Sequence, residues 1–336
     1  MTTTTTMIAW TQATYGGPET VTRNELPVIE PGPGQILIDV AATALNSADV
    51  RLMRGEPLLV RLGFGLSRPK QPVQGRDVAG RVTALGDGVT GLSLGDRVAG
   101  ELDGGGLAQA VLTEAAKVVA IPDNVSDVDA AAVPLAGGTA WQALESAAVS
   151  ADCRVLILGA GGGVGTFAVQ LAKLRGARVH ALSRPEAFDA LTRLGADEVS
   201  DRAELGTLPR DHYDVIIDLG GVAPLRSLLQ LLRDGGRLVS VAGGEAHVFG
   251  PLGRMLRGVV LSIGRSRKFV PLMATAKPEI TRSLLELVAS GRLTPLVAAT
   301  LPLTQAPQAL ALVDRGGQIG KVVVAVDRGV PPSSRA

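Results

Sequence analysis

Arg154-Val155-Leu156-Ile157-Leu158 runs directly into Gly159-Ala160-Gly161-Gly162-Gly163-Val164-Gly165. The apolar run reads as a buried strand, and the glycines allow a turn too tight for side chains. Val164 to Arg175 then carries the pattern of a helix. A strand, turn and helix of this kind lets backbone N–H groups approach a pyrophosphate, which sits on the positive end of the helix dipole. The spacing is Gly159-x-x-Gly162-x-x-Gly165, a variant of the usual G-x-G-x-x-G fingerprint. It implies a dinucleotide bound in the middle of the chain and a parallel α/β sheet around it.

A second strand should follow, and Arg178-Val179-His180-Ala181-Leu182 supplies it. Where an NAD-preferring site places an acid for the adenosine ribose 2′-hydroxyl, this chain has Ser183-Arg184. A guanidinium and a hydroxyl suit a 2′-phosphate, and the missing carboxylate removes a repulsion. NADPH is therefore the expected cofactor, with Arg202, after the third strand, as a second phosphate contact.

Composition narrows the function classes. A net charge of +1 offers no basic surface for nucleic acid, and 3% aromatic residues leave few platforms for base stacking. No apolar run is long enough to span a membrane. Cys153 is the only cysteine, which excludes an intrachain disulfide and fits a reducing cytoplasm. With 336 residues, 46% of them hydrophobic, the chain can bury two domain cores.

From Met7 to about Asp123 the segments are short, β-rich and broken by glycine and proline. Ile36–Val40, Val78–Leu85 and Arg97–Ala99 are expected strands, with turns such as Pro31-Gly32-Pro33-Gly34 between them. This reads as a β-barrel-like domain. From Val125 to Gly264 strands and helices alternate. The expected strands are Arg154–Leu158, Arg178–Leu182, Glu198–Asp201, Asp214–Asp218, Arg237–Val241 and Val259–Ile263, with helices at Val164–Arg175, Pro185–Leu194 and Pro224–Leu232. Such an array fits a doubly wound sheet. The tail has a helix, Pro278–Ser290, stopped by Gly291, and a last strand, Lys321–Val326. Val259–Ile263 is expected at the sheet edge. Its apolar residues are interleaved with Arg254, Arg257, Arg265, Arg267 and Lys268, a pattern that also fits a membrane surface, the less favoured reading.

Several motifs now occur in one order: Asn46-Ser47-Ala48-Asp49 with Arg54-Gly55, Gly75-Arg76-Asp77-Val78-Ala79-Gly80, Gly95-Asp96-Arg97-Val98, Gly138-Thr139-Ala140-Trp141, Leu194-Gly195-Ala196-Asp197 and Gly320-Lys321-Val322-Val323. From Met7 to Val326 the chain resembles the medium-chain dehydrogenase/reductase superfamily, in its zinc-free quinone oxidoreductase-like branch. The resemblance implies an α/β fold with a GroES-like β-barrel catalytic domain (residues 1–124 and 265–336). It also implies a Rossmann NADP(H)-binding domain with a doubly wound parallel sheet (125–264), a cleft between the two, and a homodimer paired through sheet edges. It places Asn46 in the cleft near the nicotinamide or a substrate carbonyl, and Tyr15 in a turn beside it. It lines the cofactor with Asn46, Thr139, Gly162, Gly163, Val164, Gly220, Ala242, Gly243 and Lys321.

Zinc-dependent members carry Cys where this chain has Asn46, and His-Glu where it has Arg76-Asp77. With one cysteine and three histidines (His180, His212 and His247), neither zinc site of such proteins can be assembled. Arg76 and Asp77 are then expected to pair with each other as a structural unit beside the cleft. Without a Lewis acid, hydride must go to an acceptor already activated by conjugation. In an enone, enal or quinone the negative charge collects on a carbonyl oxygen that hydrogen-bond donors can hold. Candidate proton donors are Tyr15, His247, which follows Val241-Ala242-Gly243-Gly244, and water. Leu58–Phe64 either walls an apolar pocket or belongs to the barrel core. The expectation is an NADPH-dependent, metal-independent reductase of small apolar conjugated carbonyls or quinones. The alternative is an NADPH-binding regulatory or scaffold protein with little catalysis.

Overall fold

The computed structural model describes residues 5–241 and 252–326. Six parallel strands form one sheet, in the spatial order Glu198–Asp201, Arg178–Ser183, Arg154–Leu158, Tyr213–Asp218, Leu232–Val241 and Lys268–Leu272. The chain order within the sheet reverses between Arg154–Leu158 and Tyr213–Asp218. Ligands of doubly wound sheets bind at such a reversal, beyond the carboxyl ends of the strands. The glycine turn leaves Leu158 at that point. Strand Arg154–Leu158 is apolar on both faces because both are covered. Val155 and Ile157 share a core with Phe167 and Leu171 of the helix Gly163–Leu174, while Leu156 and Leu158 pack with Leu225 and Leu228.

The other domain is a mostly antiparallel barrel. Its strands run in the order Val297–Pro302, Lys321–Ala325, Gln35–Leu45, Asp77–Leu85, Arg97–Glu101 and Val118–Ala120, with Ala110–Glu114 paired to Gln35–Leu45. The hairpin Thr6–Gln12 and Val21–Pro27 is joined to it by bridges Ala9–Ala108 and Thr11–Val73. Lys321–Ala325 runs antiparallel to Gln35–Leu45, from Val322 opposite Leu45 to Ala325 opposite Ala42. The tail thus returns to the first domain, as the resemblance implies. Small side chains then let the two sheets share one core. Ala42, Ala44 and Ala79 of the barrel belong to the same cluster as Ala136 and Ala140 of the helix Pro134–Ser146 and Ile157 of the parallel sheet.

One expected element is corrected. Val259–Ile263 is not a strand: a helix spans Leu252–Ser262, and the sixth strand is Lys268–Leu272. Val259-Val260-Leu261-Ser262-Ile263 is apolar but for one serine and is too short for its pattern to separate strand from helix. Met255 and Gly258, three residues apart, are buried, whereas Leu256, Val259 and Val260 are exposed, which is a helical period. Gly258 permits the packing, because a Cβ there would lie 2.6 Å from the Phe269 ring. The parallel sheet therefore continues to Leu272, past the expected boundary at Gly264.

The two domains meet at a glycine pair. The Gly320 amide donates to the Gly161 carbonyl at 2.9 Å, and Gly162 bridges Gly320. Gly320 has φ +96°, and a Cβ there would sit 2.1 Å from the Leu296 carbonyl oxygen. We expect Gly320→Ala to lower unfolding free energy by about 2 kcal/mol or more, read from the urea midpoint. Gly88→Ala, at φ +76° with open space around it, should cost only the local backbone strain of about 1 kcal/mol. Equal losses in both variants would show that the junction contributes nothing.

Candidate cofactor and active site

The glycine turn is shaped for an anion. Gly159 adopts φ +78°, and a Cβ on Gly165 would lie 2.4 Å from the carbonyl oxygens of Gly159 and Ala160. Gly162 is the N-cap of the helix Gly163–Leu174, and no side chain caps its first-turn amides among the described residues. The amides at the start of the helix are thus left for an acceptor from outside. The walls of the turn are equally close. A Cβ on Gly161 would sit 2.6 Å from Ser183 Oγ, and one on Gly163 would sit 2.9 Å from Lys321 Cδ. The residues present fit a dinucleotide's phosphates.

Ser183 ends its strand beside the turn. The guanidinium of Arg184 donates to the Gly317 carbonyl in the loop before the tail strand. Arg202 is exposed at the start of the turn after Glu198–Asp201. Sequence reasoning overlooked Asp201, which stands opposite Ser183 in the ladder; its carboxylate accepts from the Ala203 amide at 2.9 Å. Gly220 follows Tyr213–Asp218, and its amide lies 3.6 Å from where a Gly159 Cβ would be. Thr139 is buried in the helix Pro134–Ser146, which packs on the glycine-turn helix. Val164 is half-buried in that helix's first turn. Ala242, Gly243 and His247 lie outside the described residues.

Below the turn lies a buried polar cluster. Lys321 is 2% exposed and Asp77 0%. The Lys321 ammonium donates to the Leu45 carbonyl at 3.1 Å and to Asn46 Oδ1 at 2.5 Å, and lies 3.5 Å from Asp77 Oδ2. Asn46 Nδ2 donates to Asp77 Oδ2 at 2.9 Å, and the Leu135 amide donates to Asp77 Oδ1 at 2.9 Å. Asp49 braces the loop, accepting from the amides of Asn46, Gly75 and Arg76. Burial pushes the Asp77 carboxyl well above the usual carboxylate range, against the pull of Lys321, and pushes the Lys321 ammonium down. Asp49 and Glu101 are raised for the same reason.

The expected Arg76–Asp77 pair does not form. Arg76 bridges Glu101 at 2.9 Å, while Asp77 faces Asn46 and Lys321. Neighbours in extended chain point to opposite sides, so a sequence doublet is a poor guide to a pair. The Lys321 partnership joins residues 244 positions apart, and no local signal could have shown it.

Tyr15 donates its hydroxyl proton to the Gly65 carbonyl at 2.6 Å, with the Arg61 guanidinium 4.5 Å from its ring centre. Its hydroxyl is raised, burial outweighing the pull of Arg61. Leu62 and Phe64, on the segment it holds, are 67% and 44% exposed, so Leu58–Phe64 is not barrel core. Arg254, read as a surface cation, instead pairs at 2.5 Å with buried Asp218, which also accepts the Gly221 amide. Zinc does not fit here. Among the described residues no three of His, Cys, Asp and Glu come together to hold a metal, and the Asp77 carboxylate is already faced by the Lys321 ammonium at 3.5 Å.

The alcohol dehydrogenase GroES-like domain family matches residues 32–123, and the zinc-binding dehydrogenase family matches residues 194–324. The chain is 31% identical to the chloroplast envelope quinone oxidoreductase homolog of Arabidopsis thaliana, over 92% of this chain and 95% of the relative. It is 31% identical to 2-methylene-furan-3-one reductase of Solanum lycopersicum, over 95% and 79% respectively. The solved structure of a quinone oxidoreductase from Coxiella burnetii superposes with a TM-score of 0.85 at 28% identity, covering 96% of this chain and 100% of that one. Members of this kind bind a nicotinamide cofactor on the Rossmann sheet. With the strand order, the glycine turn and these relatives in agreement, the chain belongs to the medium-chain dehydrogenase/reductase superfamily as a quinone oxidoreductase-like oxidoreductase.

Proposed function

We propose that this oxidoreductase uses NADPH, without a metal, to reduce activated C=C bonds of enones and enals, or quinones. The observation that carries the reading is Asn46. A neutral amide, held between a buried ammonium and a buried carboxylate, supports a chemistry that uses a hydrogen-bond donor rather than a Lewis acid. NADPH, when bound, supplies a hydride. The amides at Gly163 and Val164 hold its phosphates, and Ser183 with Arg184 takes the 2′-phosphate. Asn46 donates to the carbonyl oxygen on which negative charge collects. Tyr15 holds the segment Leu58–Phe64 in place as an apolar wall, its own proton being engaged at Gly65. Water supplies the proton that completes the reduction.

Among the described residues the strand Lys268–Leu272 is paired on one side only, with Leu232–Val241. An open edge of this kind suits antiparallel pairing with a second copy, and we take the enzyme to be a homodimer. Among the described residues no helix is long and apolar enough to cross a membrane. The single free thiol, Cys153, suits a reducing cytoplasm.

Purified protein should oxidise NADPH steadily with cyclic enones, alkenals or benzoquinones, and a strong chelator should not change the rate. Tight NADPH binding with no turnover across that panel would favour the scaffold reading instead. Loss of activity on chelation would overturn metal independence. Arg184→Ala should weaken NADPH binding about tenfold, the worth of one charge-assisted contact, and leave NADH nearly unchanged. Equal weakening of both cofactors, measured by fluorescence titration, would remove the case for 2′-phosphate recognition. Sedimentation should give a mass near twice 34.5 kDa; a monomer at micromolar concentration would exclude edge pairing.

A further inference from the structure

The amide of Asn46 is read at both ends by opposite charges. Its oxygen accepts from the Lys321 ammonium, and its nitrogen donates to the Asp77 carboxylate at 2.9 Å. A flipped amide would face donor with donor and acceptor with acceptor, so the charged pair selects one orientation. Among the described residues the second Nδ2 proton has only the Ala44 carbonyl, at 3.4 Å, a long contact that a better acceptor would displace. An ammonium on the amide oxygen also draws charge from the nitrogen and makes the remaining N–H a stronger donor.

The same lysine reaches the cofactor cradle. Its stem lies 2.9 Å from the space a Gly163 Cβ would fill, and it follows Gly320, whose amide holds the Gly161 carbonyl. One side chain therefore spans the phosphate turn and the amide at the reacting end. Asp77 is fixed from a third direction, by the Leu135 amide. Glu101 and Asp49 add negative charge nearby, and Arg76, bridged to Glu101, offsets it.

We propose that Lys321 and Asp77 are positioning residues that hold the Asn46 amide in one orientation and leave its second, weakly bonded N–H for a carbonyl oxygen. This rests on the role given to Asn46 above, and the test separates the two. The chain contains three asparagines, Asn24, Asn46 and Asn124, and only Asn46 is buried. Selective 15N-asparagine labelling of the cofactor-free protein thus yields three side-chain amide pairs, with Asn46 identified by its loss in Asn46→Ala.

In the unaltered protein the Asn46 protons should exchange with solvent about a hundredfold more slowly than those of Asn24 and Asn124, as one pair of resonances. Asp77→Asn, close to isosteric, should speed that exchange about tenfold or give a second pair. At saturating NADPH with a cyclic enone, Asp77→Asn and Lys321→Met should each lower kcat about tenfold, with the NADPH Kd unchanged in Asp77→Asn, which leaves the cradle intact. Lys321→Arg should recover part of that loss. Combining Asp77→Asn with Asn46→Ala should be no slower than Asn46→Ala alone. Unchanged Asn46 exchange in Asp77→Asn, or losses that multiply in the double variant, overturns the proposal. Should Lys321→Met fail to fold, Asp77→Asn and Lys321→Arg still decide it. An enzyme that reduces no acceptor on the panel sinks the proposed function, while the exchange measurement still reports on the amide clamp.

Discussion

The bond from the Gly320 amide to the Gly161 carbonyl joins the end of the chain to the turn that defines its middle. Either side of it depends on missing side chains. Gly161 is pressed against Ser183, Gly163 against Lys321, and Gly320 against the Leu296 carbonyl. Because the tail strand is also laddered to Gln35–Leu45, the barrel is held against the phosphate turn through backbone as well as through the shared alanine core. The junction between the two sheets is therefore tied at both ends to strand ladders.

The charged pair beneath that junction is costly. Burial raises Asp77 and lowers Lys321 even though each favours the other's charge, so desolvation outweighs their attraction. Such a pair is a poor source of stability, yet removing one member of a buried pair typically costs about 3–5 kcal/mol. Hydrogen bonds from Leu135 and Asn46, and to the Leu45 carbonyl, make the arrangement tolerable. Its value lies in orientation. The two charges face one amide, and a hydrophobic replacement would leave that amide directed only by the Asp49 amide of its capping box and by the distant Ala44 carbonyl.

Much of this was legible in the chain. The Arg154–Gly165 run carries its own geometry, since a buried strand and a side-chain-free turn leave few other folds. Asn46, Lys321 and the glycines were singled out from motif resemblance, and the structure brings them within one region. What failed depended on tertiary partners. Val259–Ile263 is apolar without alternation, so its helical period emerged only once Met255 and Gly258 had a strand to face. Asp77 was assigned to its neighbour Arg76 because the doublet was visible, whereas Lys321 lies at the far end of the chain. Tyr15 looked free to give a proton because nothing in the sequence marks the Gly65 carbonyl as its acceptor.

The position of Lys321 also bears on how this branch relates to metal-using cousins. Three substitutions, at Asn46, Arg76 and Asp77, would restore ligand-like residues on paper. They would still leave a buried ammonium, anchored to the Leu45 carbonyl, directly beside residues 46 and 77. Removing it would free the stem that lies against Gly163 and loosen the cradle above. What can be accommodated beneath the glycine turn is thus set by the last strand of the chain as well as by residues 46, 76 and 77, and a change at one end of the sequence is felt at the other.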